Sequence, residues 1–106
     1  MGDKEFLVYL SPECEDCLRH LHTMRRGRLV RFCIQYEAWG GDKWTPIVRY
    51  DTAHGRPHRD LLHPDGTETK EEFLGYSAAD VMMFGERDIR SNWRRYREAY
   101  EKEARS

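Results

Sequence analysis

From residue 29 to residue 38 the chain alternates, with Val30, Phe32, Ile34, Tyr36 and Ala38 on one side and Arg31, Gln35 and Glu37 on the other. A period of two sustained this long marks a strand with one buried and one wet face. Gly40-Gly41-Asp42 then supplies turn chemistry, and residues 44–52 (WTPIVRYDT) read as a second strand rich in β-branched and aromatic residues. A third short strand spans residues 58–63, closed by Pro64-Asp65-Gly66-Thr67, where Pro presets φ and Gly supplies positive φ. Together these pieces predict an antiparallel meander.

Residues 11–26 fit two readings. Ser11-Pro12 can cap a helix through Cys14, Cys17, Leu18, Leu21 and Met24, stopped by Gly27; equally, residues 18–24 can be a strand turning through Arg25-Arg26-Gly27-Arg28 into the next. Sequence-adjacent strands usually pair, which favours the hairpin and makes residues 5–10 an edge strand.

Near the C-terminus the period changes. Ser77 with Asp80 forms a weak capping box, and Val81, Met82, Gly85, Ile89, Trp93, Tyr96 and Tyr100 then share a stripe about 120° wide at helical spacing. The pattern predicts one amphipathic helix over residues 78–103, laid across the sheet. Met83 and Phe84 fall outside the stripe and are expected to be exposed or to meet a partner. The expected fold is α+β, a meander of four or five strands packed by one long C-terminal helix, in a single domain spanning residues 1–106.

Composition narrows the class. The 106 residues are 39% hydrophobic and 35% charged, enough for one modest core. No apolar run reaches the roughly 20 residues of a membrane span, and residues 1–10 lack the form of a signal peptide. Cys14, Cys17 and Cys33 are an odd number, which suits reduced thiols and a cytoplasmic location. A net charge of −1 conceals an acidic head of −4 over residues 1–18 beside a ribbon of +5 over residues 19–31. Arg outnumbers Lys by 14 to 4, and its planar fork suits phosphates and carboxylates. Arg25, Arg26, Arg28 and Arg31 in that ribbon are candidate phosphate contacts for RNA. The same arginines can instead answer Glu13, Glu15 and Asp16.

The densest polar run is residues 49–60, RYDTAHGRPHRD, between two predicted strands. It holds what metal-independent RNA cleavage needs. His54 and His58 are candidate acid and base, Asp51 can orient one of them, and Arg49 and Arg56 can stabilise charge on phosphorus. Tyr50 or Trp44 can stack on an unpaired base. The same residues can also merely close a turn through Asp51 and pair Arg56 and Arg59 with Asp51 and Asp60. Cys14 and Cys17 have the spacing of half a zinc site, with His20 or His22 available to complete it, but the second Cys pair of a strong signal is missing. His54, His58 and His63 with Asp51 or Asp60 match no recognised metal spacing. No cofactor is therefore expected.

Residues 47–58 (IVRYDTAHGRPH) resemble the TumE-like toxins of type II toxin–antitoxin systems and a related uncharacterised small-domain family, through Arg49, Tyr50, Asp51, His54, Gly55 and His58. The strand with Gln35-Tyr36-Glu37 and the aromatic C-terminal helix extend the likeness over residues 28–102. Thr52 and Asp60 stand where that pattern has Asn and a last His. The resemblance implies a toxin-like, RNA-directed protein paired with a helix-turn-helix antitoxin. The rival expectation is a non-catalytic binding module that docks a protein through the Arg ribbon, Met83 and Phe84. A homodimer is left open, and no membrane partner is expected.

Overall fold

Tight turns at Arg26-Gly27 and Gly41-Asp42 decide how the chain folds back on itself. In the computed structural model, which describes residues 2–106 apart from the side chain of His54, these four residues have φ of 52°, 74°, 59° and 64°. Two-residue turns of that hand match the twist of paired strands and lock neighbours antiparallel. Gly27 takes this conformation freely because it has no Cβ.

The elements are β1 (Gly2–Tyr9), β2 (Asp16–Arg25), β3 (Arg28–Gly40), β4 (Lys43–Asp51), a 3-10 turn at Ala53–Gly55, β5 (His58–Leu62), β6 (Glu68–Glu72) and α1 (Ala78–Arg105). The six strands lie in one sheet in chain order, each antiparallel to its neighbours. The fold is thus the expected α+β meander and helix. Residues 16–25 form a strand of the favoured hairpin rather than a helix. The strand beyond expectation is β6, Glu-Thr-Lys-Glu-Glu, exposed throughout. It has no apolar residue to reveal a period; main-chain pairing to β5 holds it, and its charges suit a sheet edge.

Register assigns the faces. Phe6, His20, Ile34, Tyr50 and Arg59 are partners across β1 to β5, and Leu18, Tyr36, Val48 and Leu61 form the next such row. Cross-strand partners share a face, and α1 packs on this one. Val30, expected on the apolar side, is half exposed because it is the extra residue where the β2–β3 register shifts, with Met24 opposite Leu29 and Thr23 opposite Arg31. A second shift leaves Ile47 between the partners of Tyr36 and Glu37 and accommodates Pro46 within β4.

The helix starts as its sequence indicates, with the Ser77 hydroxyl accepting the Asp80 N–H at 3.1 Å. Val81, Gly85, Ile89 and Trp93 are buried, Met82, Tyr96 and Tyr100 pack partly against them, and Met83 and Phe84 are exposed. Tyr50 donates its hydroxyl to Asp88 at 2.6 Å, and Tyr96 donates to the same carboxylate. Arg97 reaches back to Asp16 at 2.8 Å, where the Tyr36 hydroxyl also donates. The acidic head is therefore answered at Asp16 by the helix, not by the Arg ribbon. No helix among the described residues is long and apolar enough to cross a membrane.

Gly85 sits directly over Tyr50, and a Cβ built there would lie 2.7 Å from the Tyr50 Cγ. Gly85→Ala raises helix propensity by about 1 kcal/mol. Because the atoms it meets are the root of a buried ring, overpacking toward the upper end of its range prevails, and a net loss of about 1–2 kcal/mol is expected. Urea unfolding checks this; an unchanged or higher midpoint would contradict the close helix–sheet approach.

Candidate functional site

The other face of the sheet carries no helix, and the alternation that buries Ile34 and Tyr50 beneath α1 turns every second residue toward it. One row runs across all six strands: Leu7, Arg19, Gln35, Arg49, Asp60 and Lys70. The adjacent row holds Leu21, Cys33, Asp51, His58 and Glu72. These side chains are knitted together. Glu37 accepts from Arg19 Nε at 2.9 Å and from Gln35 Nε2 at 2.6 Å, while Arg49 Nε donates to Gln35 Oε1 at 2.7 Å. Beside them lies a hollow of about 400 Å³ whose lining includes Glu5, Leu7, Arg19, Leu21, Cys33 and Gln35.

At the β3–β4 end the same alternation brings Trp39 and its partner Trp44 to this face. Their ring centroids are 5.5 Å apart, and Tyr9 of β1 lies 6.5 Å from Trp44. Tyr9 is 54% and Trp39 37% exposed.

At the β4–β5 end, Asp51, His58 and Asp60 converge. A carbonyl can only accept, so His58 Nδ1 donates to the Arg56 carbonyl at 3.1 Å. Its Nε2 lies 2.8 Å from Asp51 Oδ1 and 3.3 Å from Asp60 Oδ2. Asp51 Oδ1 also accepts the Ala53 N–H at 3.1 Å, an Asx turn that starts the connecting loop. His58 and Asp60 are each 4% exposed. Asp51 is the most accessible of the three side chains. Among the described residues they are the one set of three able to share a cation, with candidate ligand atoms all within 4.8 Å.

The structure thus gathers three of the candidate catalytic residues on one face, Arg49, Asp51 and His58. Both ring nitrogens of His58 are engaged in the interior, Nδ1 by the Arg56 carbonyl and Nε2 by the two carboxylates. The side chain of His54 lies outside the described residues; its backbone belongs to the 3-10 turn. Arg56 contributes its carbonyl to His58, while its exposed guanidinium lies 3.7 Å from Glu72. Arg26 and Arg28 are exposed at the tip of the β2–β3 hairpin with Arg25 beside them, and Arg31 donates to Thr23 at 3.1 Å.

Two expectations need correction. Tyr50, considered for base stacking, is wholly buried beneath Gly85 on the helix side, so its ring cannot meet a base. Cys14 is exposed in the turn before β2 while Cys17 is buried on the uncovered face. His20 and His22 occupy even positions of β2 and so point to the opposite face from Cys17, which prevents either from completing a zinc site with it.

Those histidines instead form a chain that sequence reasoning missed. His20 bonds Glu86 through Nδ1 at 2.8 Å and His22 through Nε2 at 2.6 Å, and Phe6 stacks on its ring at 4.5 Å. Burial, His20 and Lys4 hold the His22 pKa below its ordinary value. The i, i+2 spacing of His20 and His22 signalled a shared face; the partner Glu86, 66 positions from His20, carried no local signal.

A six-stranded meander with one face under a helix and a polar, partly aromatic face left uncovered is the class of protein that this geometry defines. The chain belongs to a family described as a domain of unknown function (DUF7718), whose model matches residues 1–106. No curated protein matches it. No solved structure matches it.

Burial, together with nearby carboxylates, pushes the Cys17 and Cys33 thiols up to about 11, so both stay protonated at neutral pH and react slowly. Native protein treated with a thiol-specific disulfide reagent at pH 7.5 should release one rapid equivalent, from Cys14, and Cys14→Ser should remove it. Rapid release of a second equivalent would show that the uncovered face opens at Cys17 or Cys33.

Proposed function

We propose that the uncovered face binds single-stranded RNA and that the protein is a toxin-like endoribonuclease acting in the cytoplasm. The observation that carries this reading is the continuity, on one helix-free face, of the Tyr9, Trp39 and Trp44 rings, the Arg19 and Arg49 side chains, and the Asp51, His58 and Asp60 cluster. A purely solvated face needs no buried acids, and a structural core needs no open aromatic trio. In this assignment bases stack at Trp39 and Trp44, Arg19 and Arg49 meet phosphate, and Asp51 is where the cluster reaches a 2′-hydroxyl. Exposed Arg26 and Arg28 extend the positive surface along the hairpin. The resemblance at residues 47–58 supports the same class.

A second reading is favoured by one observation. Leu74, Tyr76, Met83 and Phe84 are 69%, 64%, 58% and 48% exposed around the start of α1, which suits a protein partner such as a helix-turn-helix antitoxin. This face is separate from the RNA face, so both can act in one molecule.

Purified protein should cleave a labelled single-stranded RNA. Arg49→Ala should lower kcat/KM by about 100-fold or more, measured below the somewhat reduced melting temperature that loss of its bond to Gln35 brings, and Trp44→Ala should weaken binding mainly through KM. Absence of both cleavage and salt-dependent RNA binding would overturn the assignment. If Phe84→Asp alone breaks a complex with the neighbouring gene product while RNA is ignored, the binding-module reading replaces it.

A further inference from the structure

The cluster at the end of β4 and β5 has more acceptors than protons to share. With Nδ1 donating to the Arg56 carbonyl, a neutral His58 turns the lone pair of Nε2 toward two carboxylates, at 2.8 Å and 3.3 Å. Even a protonated Nε2 has one N–H for two acids. The shortfall is visible at Asp60, a residue 96% buried by its 4% exposure, whose Oδ1 has no hydrogen-bond partner among the described residues. Lys70 Nζ stops 3.9 Å from that oxygen. A buried carboxylate left half satisfied is costly, and a converging set of lone pairs calls for a positive centre between them.

The geometry points to a divalent-cation site formed by His58 Nε2 with one carboxylate oxygen each from Asp51 and Asp60. Ligands about 2.1 Å from a metal at near-right angles lie about 3 Å apart, which matches the two separations across Nε2. The Nδ1–H to carbonyl bond is the arrangement that fixes a ligating imidazole in the required tautomer. One imidazole and two carboxylates, without thiolate, suit a borderline to hard ion such as Mn²⁺. Two anionic ligands balance its charge. Arg49 and Lys70, which flank Asp60 in register, oppose binding, and Glu72 opposite His58 favours it. The exposed edge of Asp51 leaves room for water or a phosphate oxygen in the remaining positions. The site deepens the ribonuclease reading because it lies in the same cluster, yet it is testable without RNA.

Full-length protein carrying Cys14→Ser, so that the exposed thiol takes no metal, is stripped with chelator and titrated with Mn²⁺, free ion being read by electron paramagnetic resonance. One equivalent should bind saturably and raise the melting temperature. Asp60→Asn should weaken binding by about 10–100-fold, whereas Lys70→Met, at an exposed edge position that does not threaten folding, should tighten it. Absence of saturable binding, or affinity indifferent to both substitutions, overturns the site. RNA cleavage that persists in chelator would overturn a catalytic role for the ion while leaving the ribonuclease assignment standing.

Discussion

A close approach of helix to sheet, Gly85 against the root of the Tyr50 ring, sets how the two layers meet. At that point a helix without a side chain lies on a buried aromatic ring, and the Tyr50 hydroxyl continues past it to Asp88. Tyr96 joins the same carboxylate, and further along the helix Arg97, together with Tyr36, holds Asp16. Polar anchors at both ends of the contact fix the helix along one diagonal. With one helix of 28 residues, the chain covers only one face, so whatever stabilises the other must come from the strands themselves.

That other face is stabilised by mutual hydrogen bonding rather than apolar cover. Arg19, Gln35, Glu37 and Arg49 bond one another across three strands. Such a network fixes side-chain positions well, because moving one member strands another. It also explains why Glu37 can be 6% exposed on a face with no helix over it. The exception, Asp60 Oδ1, stands at the edge of the network where no further donor is in reach.

Much of this was legible in the sequence because period is local. The alternation through Phe32, Ile34 and Tyr36 gave both the strand and its buried face, and Ser77 with Asp80 located the start of the helix. The polar positions between those apolar ones, Gln35, Glu37, Arg49 and Asp51, were equally regular and belong to the candidate site. The failures lie where information is non-local. Tyr50 reads as an ordinary surface aromatic until Gly85 is laid over it. His20 and His22 look like part of a basic ribbon until Glu86 arrives from the helix. Register settles the fate of the Cys pair, since Cys17 and His20 differ by an odd number of residues and so face opposite ways. The strand Glu68–Glu72 was invisible because a wholly exposed strand has no pattern to display.

That last strand governs more than the sheet's outline. It is joined to the sheet on one side only, buries none of its five residues, and carries Lys70 directly beside Asp60. Local opening follows the weakest anchoring, so fraying of β6 is a low-energy route by which solvent reaches Asp60 and His58 while the helix side stays shut. Opening of that edge would bring solvent to two buried titratable side chains, and amide exchange along residues 68–72 would report its rate.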